Sequence, residues 1–222
     1  MSFGSRSGQV PSGSSGQYLQ RPDPRLLPRL LTTLGRPQLA AHLHTWGANP
    51  PPPLDLLGQV ERCGLSGRGG AGFPTAVKLA EVGRRGGWAV VANGLEGEPT
   101  SAKDKTLLTC APHLVIDGAV QAATLVGAER VVVCVDRAAK EALEIVGAAL
   151  AEREASGVDA LRVTLAGAPG RYVAGEESAL VNWINGGPAL PQGTRARPYQ
   201  KGVGDRPTLV CNVETLAQLA LI

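Results

Sequence analysis

The sequence predicts an α/β fold with a mainly parallel sheet covered by helices, and three observations carry that prediction. Short apolar runs rich in β-branched residues, at 88–92 (WAVVA), 130–135 (RVVVCV) and 161–165 (LRVTL), read as buried strands. The stretches between them repeat apolar residues at helical spacing, so strand and helix alternate as in right-handed βαβ units. At 222 residues the chain is long enough to bury a sizeable core.

Residues 1–20 are rich in serine and glycine with almost no large apolar groups, and are expected to form a flexible tail. Residues 21–53 read as a helical lead-in and a proline-rich connector. Leu26, Leu27, Leu30 and Leu31 form an amphipathic pattern broken by Pro28, a second pattern surrounds 39–43, and 50–53 is a polyproline spacer. His42 and His44 flank Leu43 with no acidic or cysteine neighbour in sequence, and are expected at the surface. The main domain spans 54–222. Its first helix is marked by Leu56, Leu57 and Val60, and after a glycine-rich stretch a second helix covers 75–81. The strand at 88–92 runs into a polar turn at 93–99. Pro112 opens a helix whose apolar face is Val115, Ala119, Ala122, Ala123 and Val126. Ala139, Leu143, Val146 and Leu150 mark the helix between the second and third strands, ending near Glu154. A helix then runs from 175–178 to Ile184, an irregular loop follows, 207–212 resembles a strand and 213–220 a helix. That helix is still in progress at Ile222, which reads as a cut in a longer protein.

Gly64, Gly67, Gly69, Gly70 and Gly72 place five glycines within nine residues, so bare backbone N–H groups can approach an anion closely. Gly67, Gly69 and Gly72 match G-x-G-x-x-G formally, but a helix precedes them where a dinucleotide fingerprint needs a strand. Two glutamate pairs follow strands. Glu96 and Glu98 sit in a turn, and Glu176 and Glu177 begin a helix, where a carboxylate is also a favourable dipole partner. Carboxylates repel phosphate, so acidic turns sharing a ligand with the glycine loop should face ribose hydroxyls, ring N–H groups or water. A dinucleotide or a flavin offers both ends.

A net charge of +3 with no basic run argues against nucleic-acid binding. No apolar stretch approaches the roughly 20 residues of a membrane span, and the N-terminus lacks a signal-peptide core, so a cytoplasmic location is expected, at most peripheral to a membrane complex. Cys63, Cys110, Cys134 and Cys211 are far apart with no C-x-x-C spacing and read as reduced, buried thiols.

The ordered motifs are specific. Gly67-Arg-Gly-Gly-Ala-Gly-Phe-Pro-Thr75 with Lys78, Asn93-x-x-Glu-x-Glu-Pro99 with Lys103-Asp104, Pro112-His-Leu114, Gly175-Glu-Glu-Ser178, Arg206-Pro-Thr208 and Asn212-Val-Glu-Thr215 together resemble the FMN- and NADH-binding flavoprotein (51-kDa-type) subunit family of respiratory complex I. The resemblance runs from about residue 54 to 222. It implies an atypical Rossmann-like domain that holds FMN and stacks NADH on the flavin. It places Gly67, Arg68, Gly69, Gly70 and Lys78 against the cofactor and Phe73 near the nicotinamide. Asn93 and Glu96 line the flavin, Glu98 and Glu177 the NADH pocket, Gly175 and Glu176 the flavin edge, and Asn212 and Thr215 the flavin-phosphate side. The family continues into a ubiquitin-like domain and a helical bundle with a [4Fe-4S] cluster, whose ligands none of the four cysteines matches.

The departures are local. Leu95 stands where the family has Asp, Cys211 where it has the first of two Asn, 100–102 (TSA) where it has Gly-Thr-Phe, and 192–198 (QGTRARP) where it has Lys-Pro-Pro-Phe-Pro. The Asn-Gly-x-Glu-x-Glu-Pro turn is also similar to the related subunit of sodium-pumping ferredoxin:NAD oxidoreductases. The expected function is oxidation of NADH or NADPH through FMN, with electrons passed to an iron–sulfur protein or ferredoxin-type acceptor. The alternative is a binding or assembly module that keeps a flavin or nucleotide but has lost turnover.

Overall fold

The computed structural model describes residues 29–31, 37–98, 100–170, 172–193 and 196–222. The expected tail, Leu26, Leu27, Pro28 and Pro99 lie outside the described residues. After a single 3-10 turn at Arg29–Leu31, the lead-in supplies α1 (Leu39–Trp46). Two helices, α2 (Leu56–Arg62) and α3 (Thr75–Gly83), then bracket the glycine-rich loop. Strand β1 (Ala89–Gly94) is followed by α4 (Lys103–Cys110), α5 (Pro112–Val126), β2 (Arg130–Asp136), α6 (Lys140–Ser156) and β3 (Arg162–Ala168). A 3-10 turn at Tyr172–Gly175 leads into α7 (Glu177–Ile184), and β4 (Thr208–Asn212) and α8 (Val213–Leu219) complete the order. Among the described residues no helix is long and apolar enough to cross a membrane.

The four strands form one parallel sheet in the order β3-β2-β1-β4. Alternate side chains of a strand point to opposite faces, and here both faces are covered. Val90, Ala92, Val131, Val133, Val135 and Leu209 pack against the helices between α2 and α6 and against α8. Val91, Cys134 and Val210 face the other way, onto Leu180 and Val181 of α7 and onto Leu95, Ala174 and Ala189. Burial on both faces is why these strands read as continuous apolar runs. β1 leads to β2 and β3 on one side, whereas β4 returns to pair with β1 on the other. The chain therefore reverses direction across the sheet between β1 and β4.

One helix has no signature in the sequence. α4 has only Leu107 and Leu108 as buried apolar residues, too few to set a helical period, and its third buried residue is Asp104. Tertiary contacts, not periodicity, fix it in place. α5 also departs from the expected one-sided face, because it is buried almost all round. Asp117 and Gln121 on it are satisfied from outside, whereas both ring nitrogens of His113 are buried without a hydrogen-bond partner. Arg153 of α6 donates to Asp117 Oδ1 at 2.8 Å and to Asp159, while Gln121 donates to Asn49 Oδ1 at 2.8 Å.

His42 corrects the surface reading. It is 4% exposed, and its Nε2 lies 2.6 Å from Asp117 Oδ2, so the acidic neighbour missing from the local sequence comes from α5. His44 is exposed as expected. The cysteines divide: Cys134 and Cys211 are buried, Cys110 is half-buried, and Cys63 is exposed against expectation because it follows the last turn of α2.

Candidate functional site

In open parallel sheets ligands bind beyond the carboxyl ends of the strands, where the strand order reverses. Asn93 at the end of β1 and Asn212 at the end of β4 are register partners at that reversal. A cleft of about 480 Å³ opens there, within the roughly 300–1,000 Å³ usual for small-molecule sites. A smaller pocket of about 100 Å³ under the glycine loop shares Gly69, Asn93, Gly175 and Asn212 with it. Each of the fourteen residues singled out in the sequence lines one or both.

The glycine loop is closed by the Gly67 N–H donating to the Phe73 carbonyl at 2.8 Å. Gly70 (φ 102°) and Gly72 (φ 60°) adopt left-handed conformations that an L side chain would strain. The Arg68 N–H donates to Thr215 Oγ1 at 2.9 Å and anchors the loop to α8. The N–H groups of Gly69, Gly70, Ala71 and Gly72 have no acceptor among the described residues, and the loop is exposed. Free amides in succession are the kind of group that can bind an anion.

The two asparagines already have partners. Asn93 donates to the Gly175 carbonyl at 2.8 Å and accepts from the Leu95 N–H, which pins the 3-10 turn before α7 to the end of β1. Asn212 donates to Asp104 Oδ2 at 2.7 Å, and its Oδ1 accepts from the Glu214 N–H at 3.0 Å and from Lys103 Nζ at 3.1 Å. It is thus the N-cap of α8. Glu176 is likewise an N-cap, accepting from the Ser178 and Ala179 N–H groups, so the dipole reading holds for this residue. Glu177 is different. Its carboxylate pairs with Lys78, linking α7 to α3 across the small pocket. The resemblance divides these two between the flavin and dinucleotide sides, and here they meet.

Glu96 accepts from Ser101 Oγ and from the Asp104 N–H through Oε1, but Oε2 is buried without a hydrogen-bond partner. Thr75 Oγ1, at the start of α3, is also buried and unpartnered. Glu98 is exposed on the same wall, and Phe73 is 52% exposed at the loop tip. Opposite the carboxylates, Lys103 lies 3.3 Å from Glu214 Oε2 and Arg68 lies 3.8 Å from its Oε1. Burial raises the Asp104 carboxyl above its usual range against the opposing pull of Lys103. Burial likewise pushes the Cys211 thiol up to about 11, so the floor of the small pocket carries a neutral thiol.

The cleft is also lined by residues outside the fourteen, among them Leu95, Ser101, Lys103, Asp104 and Pro191. Lys103 and Asp104 carried a signal, as a Lys-Asp pair close behind the acidic turn. Pro191 carried none, because a loop returning from beyond α7 brings it to the cleft.

An acceptor needing a donor at Glu96 Oε2 and an anion cradle at the glycine loop suit a ligand with a phosphate at one end and hydroxyl or ring N–H groups at the other. FMN has that chemistry. Residues 60–221 match the sequence model of the Nuo51 FMN-binding domain. The NADH-quinone oxidoreductase F subunit of Aquifex aeolicus is 32% identical over 181 residues, which is 77% of this chain and 42% of that protein. Its counterpart in Mycobacterium bovis is 35% identical over 187 residues, again 77% of this chain and 42% of the relative. The chain thus spans about two fifths of the length of these curated relatives. A crystal structure of NAD+-reducing [NiFe]-hydrogenase in the air-oxidized state superposes with a TM-score of 0.70 at 35% identity, covering 75% of this chain and 30% of that one. On these matches, the chain belongs to the Nuo51 FMN-binding domain family.

Proposed function

We propose that this chain is an FMN-dependent module that oxidises NADH or NADPH and hands the electrons to an iron–sulfur partner, as an NADH dehydrogenase (quinone)-like flavoprotein. The observation that carries the reading is the meeting, in one cleft at the β1/β4 reversal, of the glycine loop, whose free amides at Gly69 and Gly70 line it, with Glu96, whose Oε2 has no hydrogen-bond partner. FMN bound there would supply the change from two-electron to one-electron transfer.

The residues divide the binding work. The amides of Gly69 to Gly72, with Arg68 at their flank, hold the phosphate. Glu96 accepts from a ribityl hydroxyl or ring N–H, and Asn93 and Gly175 form the apposed wall. Lys78 supplies positive charge beneath the loop, and its partner Glu177 keeps that charge localised. Glu98 and Phe73, both exposed at the rim, face an incoming dinucleotide. No side chain is required as an acid or base.

Purified protein supplied with FMN should retain it through gel filtration, turn yellow, and lose its flavin absorbance on anaerobic addition of NADH. A protein that fails to take up FMN would falsify the proposal. Leu95 favours the second reading, a module that binds flavin without turnover, because its 8% exposed apolar side chain occupies the cleft wall. That reading predicts FMN uptake with no NADH-driven reduction of ferricyanide.

A further inference from the structure

Asp104 joins three parts of the cleft. It is 2% exposed, yet its Oδ1 accepts from Lys103 Nζ at 2.6 Å, its Oδ2 from Asn212 Nδ2 at 2.7 Å, and its backbone N–H donates to Glu96 Oε1 at 3.2 Å. One residue of α4 therefore touches the turn after β1, its own helix and the β4–α8 junction. Burying a carboxylate is costly unless it is paired and hydrogen-bonded. Here each oxygen receives a separate N–H donor, an arrangement that fits the ionised form. A protonated Asp104 would point a hydroxyl hydrogen at one of those donors.

The consequence falls on Asn212. An amide has one accepting and one donating end. With its Nδ2 committed to Asp104, its Oδ1 is left facing the Glu214 N–H and Lys103. The first N–H groups of a helix have no intrahelical acceptor, so this cap is what satisfies Glu214.

We propose that Asp104 is a positioning residue which, through Asn212 and Lys103, fixes the cleft wall at the β4–α8 junction and so sets the affinity for FMN. The proposal rests on the FMN reading above. The groups facing Asp104 are Lys103 from α4, Glu96 from the turn after β1, and Asn212 with Glu214 from the β4–α8 junction, Glu214 also lying beside Arg68. Desolvation by burial raises its pKa, with Lys103 opposing and Glu96 adding. Acidification therefore neutralises Asp104 before an ordinary aspartate and should loosen the wall.

Asp104→Asn keeps the shape and removes the charge. Its new amide cannot accept from both Lys103 and Asn212 on separate oxygens. The expected result is a rise of at least tenfold in the Kd for FMN, measured by quenching of flavin fluorescence. The wild-type Kd should rise on acidification, starting at higher pH than an ordinary aspartate would titrate, and the variant should lack that part of the pH dependence. In FMN-free protein, hydrogen exchange of the Glu214 N–H should be at least tenfold faster in Asp104→Asn than in the wild type. A variant that melts earlier but binds FMN within twofold of wild type, with the pH dependence intact, overturns the proposal. So does unchanged Glu214 exchange. If the variant does not fold, the same exchange in wild-type protein, corrected for the intrinsic pH dependence, must increase on acidification for the proposal to stand. Wild-type protein that binds no FMN counts against the FMN reading, while the Glu214 exchange still decides whether Asp104 positions the cap.

Discussion

Gly118→Ala tests the packing that carries the site. Gly118 lies on α5, where an added Cβ would sit 1.8 Å from the Leu216 carbonyl oxygen and 2.5 Å from its carbonyl carbon, both backbone atoms of α8. A carbon–oxygen contact needs roughly 3.3 Å, so the two helices must part by about 1.5 Å. Overpacking costs about 1–3 kcal/mol, and the upper end applies because both clashing atoms are backbone and no rotamer change relieves them. The gain in helix propensity from Gly to Ala returns about 1 kcal/mol. A net loss of about 2 kcal/mol is expected, or roughly 4–8 °C in Tm for a chain of this size. Urea unfolding followed by tryptophan fluorescence measures it. Gly147→Ala on α6 is the control, since its Cβ meets only Leu165 Cδ2 at 3.8 Å, and it should stabilise by about 0.5–1 kcal/mol. Because α8 carries Thr215 and is capped by Asn212, Gly118→Ala should also weaken FMN binding. Equal stability of the two variants would refute the account of α5 against α8.

Acid should destabilise the fold through His113. It is 1% exposed, and burial, then Arg153 and His42, push its pKa down to about 4. The unfolded histidine takes up its proton near pH 6.5, before the folded one does. The contribution is therefore fully present above about pH 6.5 and is lost as pH falls from there towards 4, on the order of 3 kcal/mol in all. Urea midpoints measured from pH 7 to 4.5 should show that slope, and His113→Gln should lack it. Thr75→Val removes a hydroxyl that is buried without a partner, so FMN-free protein should gain up to about 1 kcal/mol in a thermal melt. A loss of more than about 1 kcal/mol would show that the hydroxyl is satisfied in solution.

Much of the fold was legible because the residues concerned obey local rules. The strands read clearly since burial on both faces demands β-branched apolar runs, and Pro112 marked the start of α5. α4 was hidden because eight residues with two buried leucines carry no period. The burial of His42 is invisible in the local sequence for a different reason. The carboxylate that permits its burial, Asp117, lies 75 residues away.

The site divides in the same way. Sequence alone determined the chemistry available: a loop of glycines free to present amides, two pairs of glutamates, and a lysine one helical turn on. These depend on side-chain type and short spacing, which a linear chain records. Only the tertiary structure decided how they combine. It set Asn93 against Asn212, 119 residues apart, by inserting β4 beside β1. It turned Asn212 and Glu176 into helix caps, paired Lys78 with Glu177, and brought Asp104 beneath the wall. Strand order and helix packing are settled by the burial of the whole core, and no stretch of residues carries that sum by itself.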